Sequence, residues 1–99
     1  MARLDRDALL RAAREALRAA PDPDGVSDLV GEKGHLNVAA TPDDLKTAVQ
    51  RLKPLMGYRW IVINGADLFA ASPLTLGTKI GILDPSGRVL KNADLPRSK

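Results

Sequence analysis

The chain has 99 residues, 44% of them hydrophobic and 27% charged, with a net charge of +3 and no cysteine. That usage excludes a disordered segment, and the missing cysteine excludes disulfides, thiolate metal sites and a cysteine nucleophile. No stretch approaches the roughly 20 apolar residues of a membrane span. The opening residues, MARLDRD, carry charge at once and do not read as a secretory signal, so a cytoplasmic location is expected. One domain over residues 1–99 is the natural count.

Residues 3–20, RLDRDALLRAAREALRAA, are built from strong helix formers, and Pro21 and Pro23 stop the run. On a helical projection the alanines and leucines cover one broad side. Arg3, Arg11, Arg14 and Arg18 gather within an arc of roughly 80° on the other. PDPDG at 21–25 reads as a turn, Val26–Val30 as a short helical turn, and His35–Ala40 as a short strand. Thr41-Pro42-Asp43-Asp44 marks the start of a second helix, with a threonine N-cap, proline at the first position and carboxylates in the positive first turn. Leu45, Ala48, Val49, Leu52 and Met56 follow at helical spacing, and Pro54 is expected to tighten the last turn before Gly57.

Tyr58–Ile63 is a β-prone run, and the Asn64-Gly65 pair after it is a two-residue hairpin signal that makes Ala66–Ala71 the returning strand. A second hairpin is expected from Thr78–Leu83, the turn Asp84-Pro85-Ser86-Gly87, and Arg88–Lys91; residues 92–99 read as a flexible polar tail. The expected fold is α+β: two main helices packed on a mostly antiparallel sheet of about four to five strands built from two hairpins.

The first hairpin would place Tyr58, Trp60, Val62 and Phe69 on one face, and these include all three aromatic residues of the chain. Three uses of such a face compete: core beneath the N-terminal helix, a docking surface for another protein or a second copy, and a base-stacking platform. Trp60–Ile63 and Ile80–Leu83 lack polar alternation, so both sheet faces want cover. This surplus favours a small non-enzymatic protein-binding module, an adaptor, accessory subunit or inhibitor, able to self-associate through the aromatic face. The alternative is a nucleic-acid binder that meets phosphates with Arg3, Arg11, Arg14 and Arg18.

Other motifs carry less. Gly31-Glu32-Lys33-Gly34 resembles the GxxG loop of KH-type RNA-binding domains, but a KH loop leads directly into a helix and a strand is expected here, so it reads as a plain turn and no family is assigned. Asp22, Asp24 and Asp28 share acidic spacing with a calcium loop that would lack its bidentate twelfth ligand, and turn composition explains them. His35 is the only histidine. There is no nucleophile elbow, P-loop, dinucleotide fingerprint or HExxH, so no catalytic residue, metal ligand or cofactor is assigned.

Overall fold

The first helix, α1 (Arg6–Leu17), starts later and stops earlier than its alanine-rich composition suggests. Asp5 caps it by accepting from the Ala8 amide at 2.9 Å, and the chain leaves it through Arg18 in the left-handed conformation, φ 51°. The turn is therefore made before either proline is reached. The structure, a computed structural model, describes residues 3–95.

After α1 come the strands β1 (Ala20–Pro21), β2 (Leu29–Gly31) and β3 (Gly34–Ala39), then α2 (Pro42–Leu52) and β4 (Arg59–Ile63). A 310 turn, Gly65–Asp67, leads into α3 (Leu68–Thr75), and β5 (Gly81–Leu83) and β6 (Val89–Lys91) complete the described chain. The strands form one sheet in sequence order, antiparallel at both ends and parallel where β3, β4 and β5 meet. The α+β composition agrees with expectation. The sheet differs: it is mixed, it has six strands among the described residues, and a third helix is present.

The difference originates at Asn64-Gly65. The type I′ hairpin loop that an Asn-Gly pair favours needs positive φ at both positions. Asn64 instead has φ −68° and ψ 135°, and Gly65 is not among the positive-φ residues. A returning strand would need a free side of β4, and both sides are taken by parallel neighbours, β3 and β5. Ala66–Ala71, expected as that strand, therefore turns into α3, which carries the chain back to start β5. Val26–Val30 likewise ends in strand β2 and forms no helical turn.

Strands advancing in one direction through β3, β4 and β5 put crossover helices on a single side when the crossovers share one hand. Accordingly α2 and α3 bury Leu45, Val49, Leu52 and Ala71 against Ile61, Ile63 and Ile82 on one face of the sheet. Helix α1 buries Leu9, Ala13 and Leu17 against Leu36, Val38, Trp60 and Val62 on the other. Successive residues of β4 thus enter opposite cores, which explains why Trp60–Ile63 shows no polar alternation. The cover that both faces demand comes from the chain's own helices.

The second hairpin is present, with shorter strands. Asp84 Oδ1 accepts from the Ser86 amide and hydroxyl and from the Arg88 amide, and Gly87, at φ 87°, supplies the left-handed position. The Gly31–Gly34 element is the turn of the β2–β3 hairpin, as its plain reading required. Of the tail, Asn92–Leu95 is held to the sheet: the Asp94 amide donates to Lys79 O at 2.9 Å, and Ala93 packs on the α1-side core. Residues 96–99 lie outside the described residues.

Candidate functional site

The four hairpin-face residues do not share a face. Trp60 and Val62 point beneath α1 and are buried. The Trp60 indole N–H donates to Lys33 O at 3.0 Å, and the Lys33 ammonium lies 5.0 Å from the ring centroid, so the β2–β3 turn clamps the ring in place. Tyr58 is half-exposed just before β4. Phe69 sits on α3, across the sheet from Trp60, and is 91% exposed. The aromatic cluster depended on the hairpin, and without it the rings separate.

Phe69 marks a different surface. Residues 68–78, LFAASPLTLGT, carry no charge. Ala71 and Thr75 face the core, which leaves Phe69, Ala70, Pro73 and Leu74 on the outer side, continued by Leu76 after the helix. Surface helices ordinarily turn a charged side to water, and α3 has none to turn. Pro73 is tolerated within so short a helix because it lies on the exposed side, where the unbonded carbonyl a turn earlier can meet solvent. The sequence signal for this face was the charge-free run itself; reading the run as a strand concealed the helical spacing.

The arginine ridge divides. Arg3 precedes α1 and grips Asp67 through both terminal nitrogens, at 2.9 and 2.6 Å, while also donating to Ala40 O. The hydrogen bond to Asp67 holds the Arg3 guanidinium above its ordinary pKa. Arg3 thus fastens the N-terminal segment to the carboxyl ends of β3 and β4. Arg11, Arg14 and Arg18 are exposed and form no ion pair among the described residues. Arg11 and Arg14 line a shallow depression with Glu15 and Ala19. Glu15 sets a carboxylate where an anion would approach.

Two hydrogen-bonded carboxylates sit at the β1–β2 edge. Asp28 accepts from Arg6 and Arg51 at 3.0 and 3.1 Å and from the Val38 amide, tying α1 and α2 to the sheet. Asp22 accepts from the Asp24 and Ser27 amides and from the Ser27 hydroxyl. Ser27 Oγ is also 2.8 Å from His35 Nδ1. The three side chains run carboxylate, hydroxyl, imidazole. A nucleophilic relay needs the imidazole in the middle and an accessible hydroxyl, whereas Ser27 is central and buried. Among the described residues no group of His, Asp or Glu side chains could hold a metal ion, and the oxygens of Asp22 and Asp28 are already taken up as acceptors.

No family model, curated protein or solved structure matches this chain. The surfaces must therefore be weighed on their own chemistry. Among the described residues no helix is long and apolar enough to cross a membrane, so the uncharged α3 is too short to be a span. On its outer face Phe69 is the most exposed large hydrophobic side chain among the described residues.

Proposed function

We propose that this chain is a small, non-enzymatic protein-binding module of the cytoplasm, an adaptor, accessory subunit or inhibitor, with Phe69 as the anchor of its contact surface. The observation that carries the reading is the near-complete exposure of Phe69 within residues 68–78, a run without charge. Interface centres are depleted of charge and enriched in aromatic anchors. Trp60 and Val62, expected as anchors, lie in the core beneath α1 on the other face of the sheet, and no cofactor enters the reading.

Replacing Phe69 with glutamate tests it. The side chain packs on little, so Phe69→Glu should fold as the wild type does by circular dichroism. A protein captured from the native host and then purified should bind the wild-type chain and lose about tenfold or more in affinity for the variant. Equal affinities would remove the reading.

A second reading, nucleic-acid binding, is supported by Arg11, Arg14 and Arg18, which are exposed and form no ion pair among the described residues. Three phosphate contacts predict a fall of log K against log salt with a slope of about −2 to −3. The absence of any complex with duplex or single-stranded nucleic acid at low salt would remove it.

A further inference from the structure

We infer that the partner of the α3 surface is a second copy of this chain, docked so that the α2–α3 layers of two copies pack face to face about a two-fold axis running across the helices. The inference rests on the protein-binding reading and names the partner. Such an axis sets α3 antiparallel to the partner's α3 and α2 antiparallel to the partner's α2.

Three features support this pairing. The first is the lack of charge on α3. Along the outer side of α3 Phe69 lies at one end and Leu76 beyond the other, with Ala70, Pro73 and Leu74 between them and no charged residue in the run. Reversing a second copy sets Phe69 of each chain over Leu76 of its mate and lays one uncharged face on the other, so that no charge is buried unpaired along α3.

The second is charge on the neighbouring helix. Exposed Asp43 and Asp44 occupy the first turn of α2, exposed Lys46 follows them, and exposed Lys53 comes after the last turn, so the acidic end keeps a net negative charge and the other end is basic. Antiparallel pairing of α2 with its copy sets the acidic end of each over the basic end of the other, and opposes the helix dipoles favourably.

The third is where the arginine ridge lies. Arg11, Arg14 and Arg18 are on α1, across the sheet from α3. Pairing through α3 leaves the two arginine ridges on the far outer faces, several layers apart, well beyond the screening length of about 8 Å at physiological salt. Pairing through α1 would bring them together.

The surface also sets the strength. An eight-residue helix is only about 12 Å long, short of the ~800 Å² per partner that a standard interface buries. Hence α2 must share the contact, and the pair should be a concentration-dependent one.

Light scattering and sedimentation from micromolar to near-millimolar protein test this. The wild-type mass should climb toward that of a dimer. Phe69→Glu should stay monomeric, while Val89→Glu, which changes an exposed apolar residue on β6, should pair as the wild type does. Asp43→Lys should weaken the dimer, and adding Lys53→Asp should restore it, with circular dichroism confirming the fold of each variant. A wild-type chain that stays monomeric throughout overturns the inference, and Phe69-dependent binding to another protein would then leave the protein-binding reading standing. A Phe69→Glu chain that dimerises like the wild type overturns both the two-fold pairing and Phe69 as an anchor.

Discussion

Gly81 of β5 lies so close against Trp60 of β4 that a methyl group in its place would collide with ring carbons Cε3 and Cζ3. The two residues are register partners in the parallel pair. The indole therefore occupies the space that a side chain at position 81 would need, and it closes the core beneath α1.

Gly81→Ala should consequently destabilise the fold by about 1–3 kcal/mol, the usual cost of forcing extra volume into a packed core. Ala93 N also approaches the same space, so the chain has little room to relax. Urea unfolding followed by Trp60 fluorescence should show a lower midpoint with an unchanged slope. An unaltered midpoint would mean that the ring moves freely and does not seal the core.

Arg59 is 2% exposed, and its hydrogen-bond partners are the carbonyls of Leu52, Lys53 and Thr78. It neutralises the carboxyl end of α2 and ties it to the loop before β5. Burial lowers its pKa, yet a guanidinium starts so far above neutrality that the charge remains. A lysine ammonium cannot span carbonyls from two elements, so Arg59→Lys should cost about 1–3 kcal/mol despite keeping the charge. Chemical denaturation measures this directly, and a loss within error of zero would contradict the clamp.

Asn64 exchanges two hydrogen bonds with the backbone of Leu4, accepting from its amide at 2.9 Å and donating to its carbonyl at 3.0 Å, and also donates to Ala40 O. With the Arg3–Asp67 pair, this latches the N-terminal segment to the sheet. Asn64→Ala should cost about 1–3 kcal/mol through unpaired buried groups. It should also speed hydrogen exchange at the Leu4 amide more than at Ile61 in the centre of the sheet. Equal acceleration at both sites would point to global loosening and count against a local latch.

Helix α1 ends on Arg18 at φ 51°, where glycine carries no Cβ penalty. Arg18→Gly should therefore raise stability by about 0.5–1 kcal/mol, seen as a higher thermal midpoint. The same variant lowers nucleic-acid affinity only if the α1 arginines touch phosphate, so one substitution examines the helix end and the second functional reading separately.

Much of this architecture is written locally. The N-cap region Thr41-Pro42-Asp43-Asp44, the Asp84–Gly87 turn and the short β3 strand all form where their residue types place them, because each is decided by neighbours in sequence. Asn64-Gly65 departs from its local signal because its outcome is not local: the two sides of β4 are claimed by strands that begin more than fifteen residues away in either direction. The functional surface followed the same pattern. Trp60 and Phe69 looked like neighbours only through a hairpin register, and the conversion of one strand to a helix sent them to opposite faces of the sheet.

The β1–β2 edge should be sensitive to acid through Asp22. Hydrogen bonds from the Asp24 amide, and from the hydroxyl and amide of Ser27, outweigh its burial and hold the carboxyl below its ordinary pKa of 3.8. At Asp84 burial opposes ionisation, yet bonds from Ser86 and Arg88 again lower the pKa. A carboxyl whose pKa is depressed by folding adds stability that is fully present above its unfolded pKa and disappears as pH falls through the folded value. Stability should accordingly hold steady from neutrality down to about pH 5 so far as these two groups contribute, then decline below about pH 4. Asp22→Asn should lower stability at neutral pH and flatten that decline, because the amide has no proton to take up. The comparison needs only urea midpoints for the two chains between pH 3 and pH 7, and parallel curves would show that Asp22 has the same affinity for protons folded and unfolded.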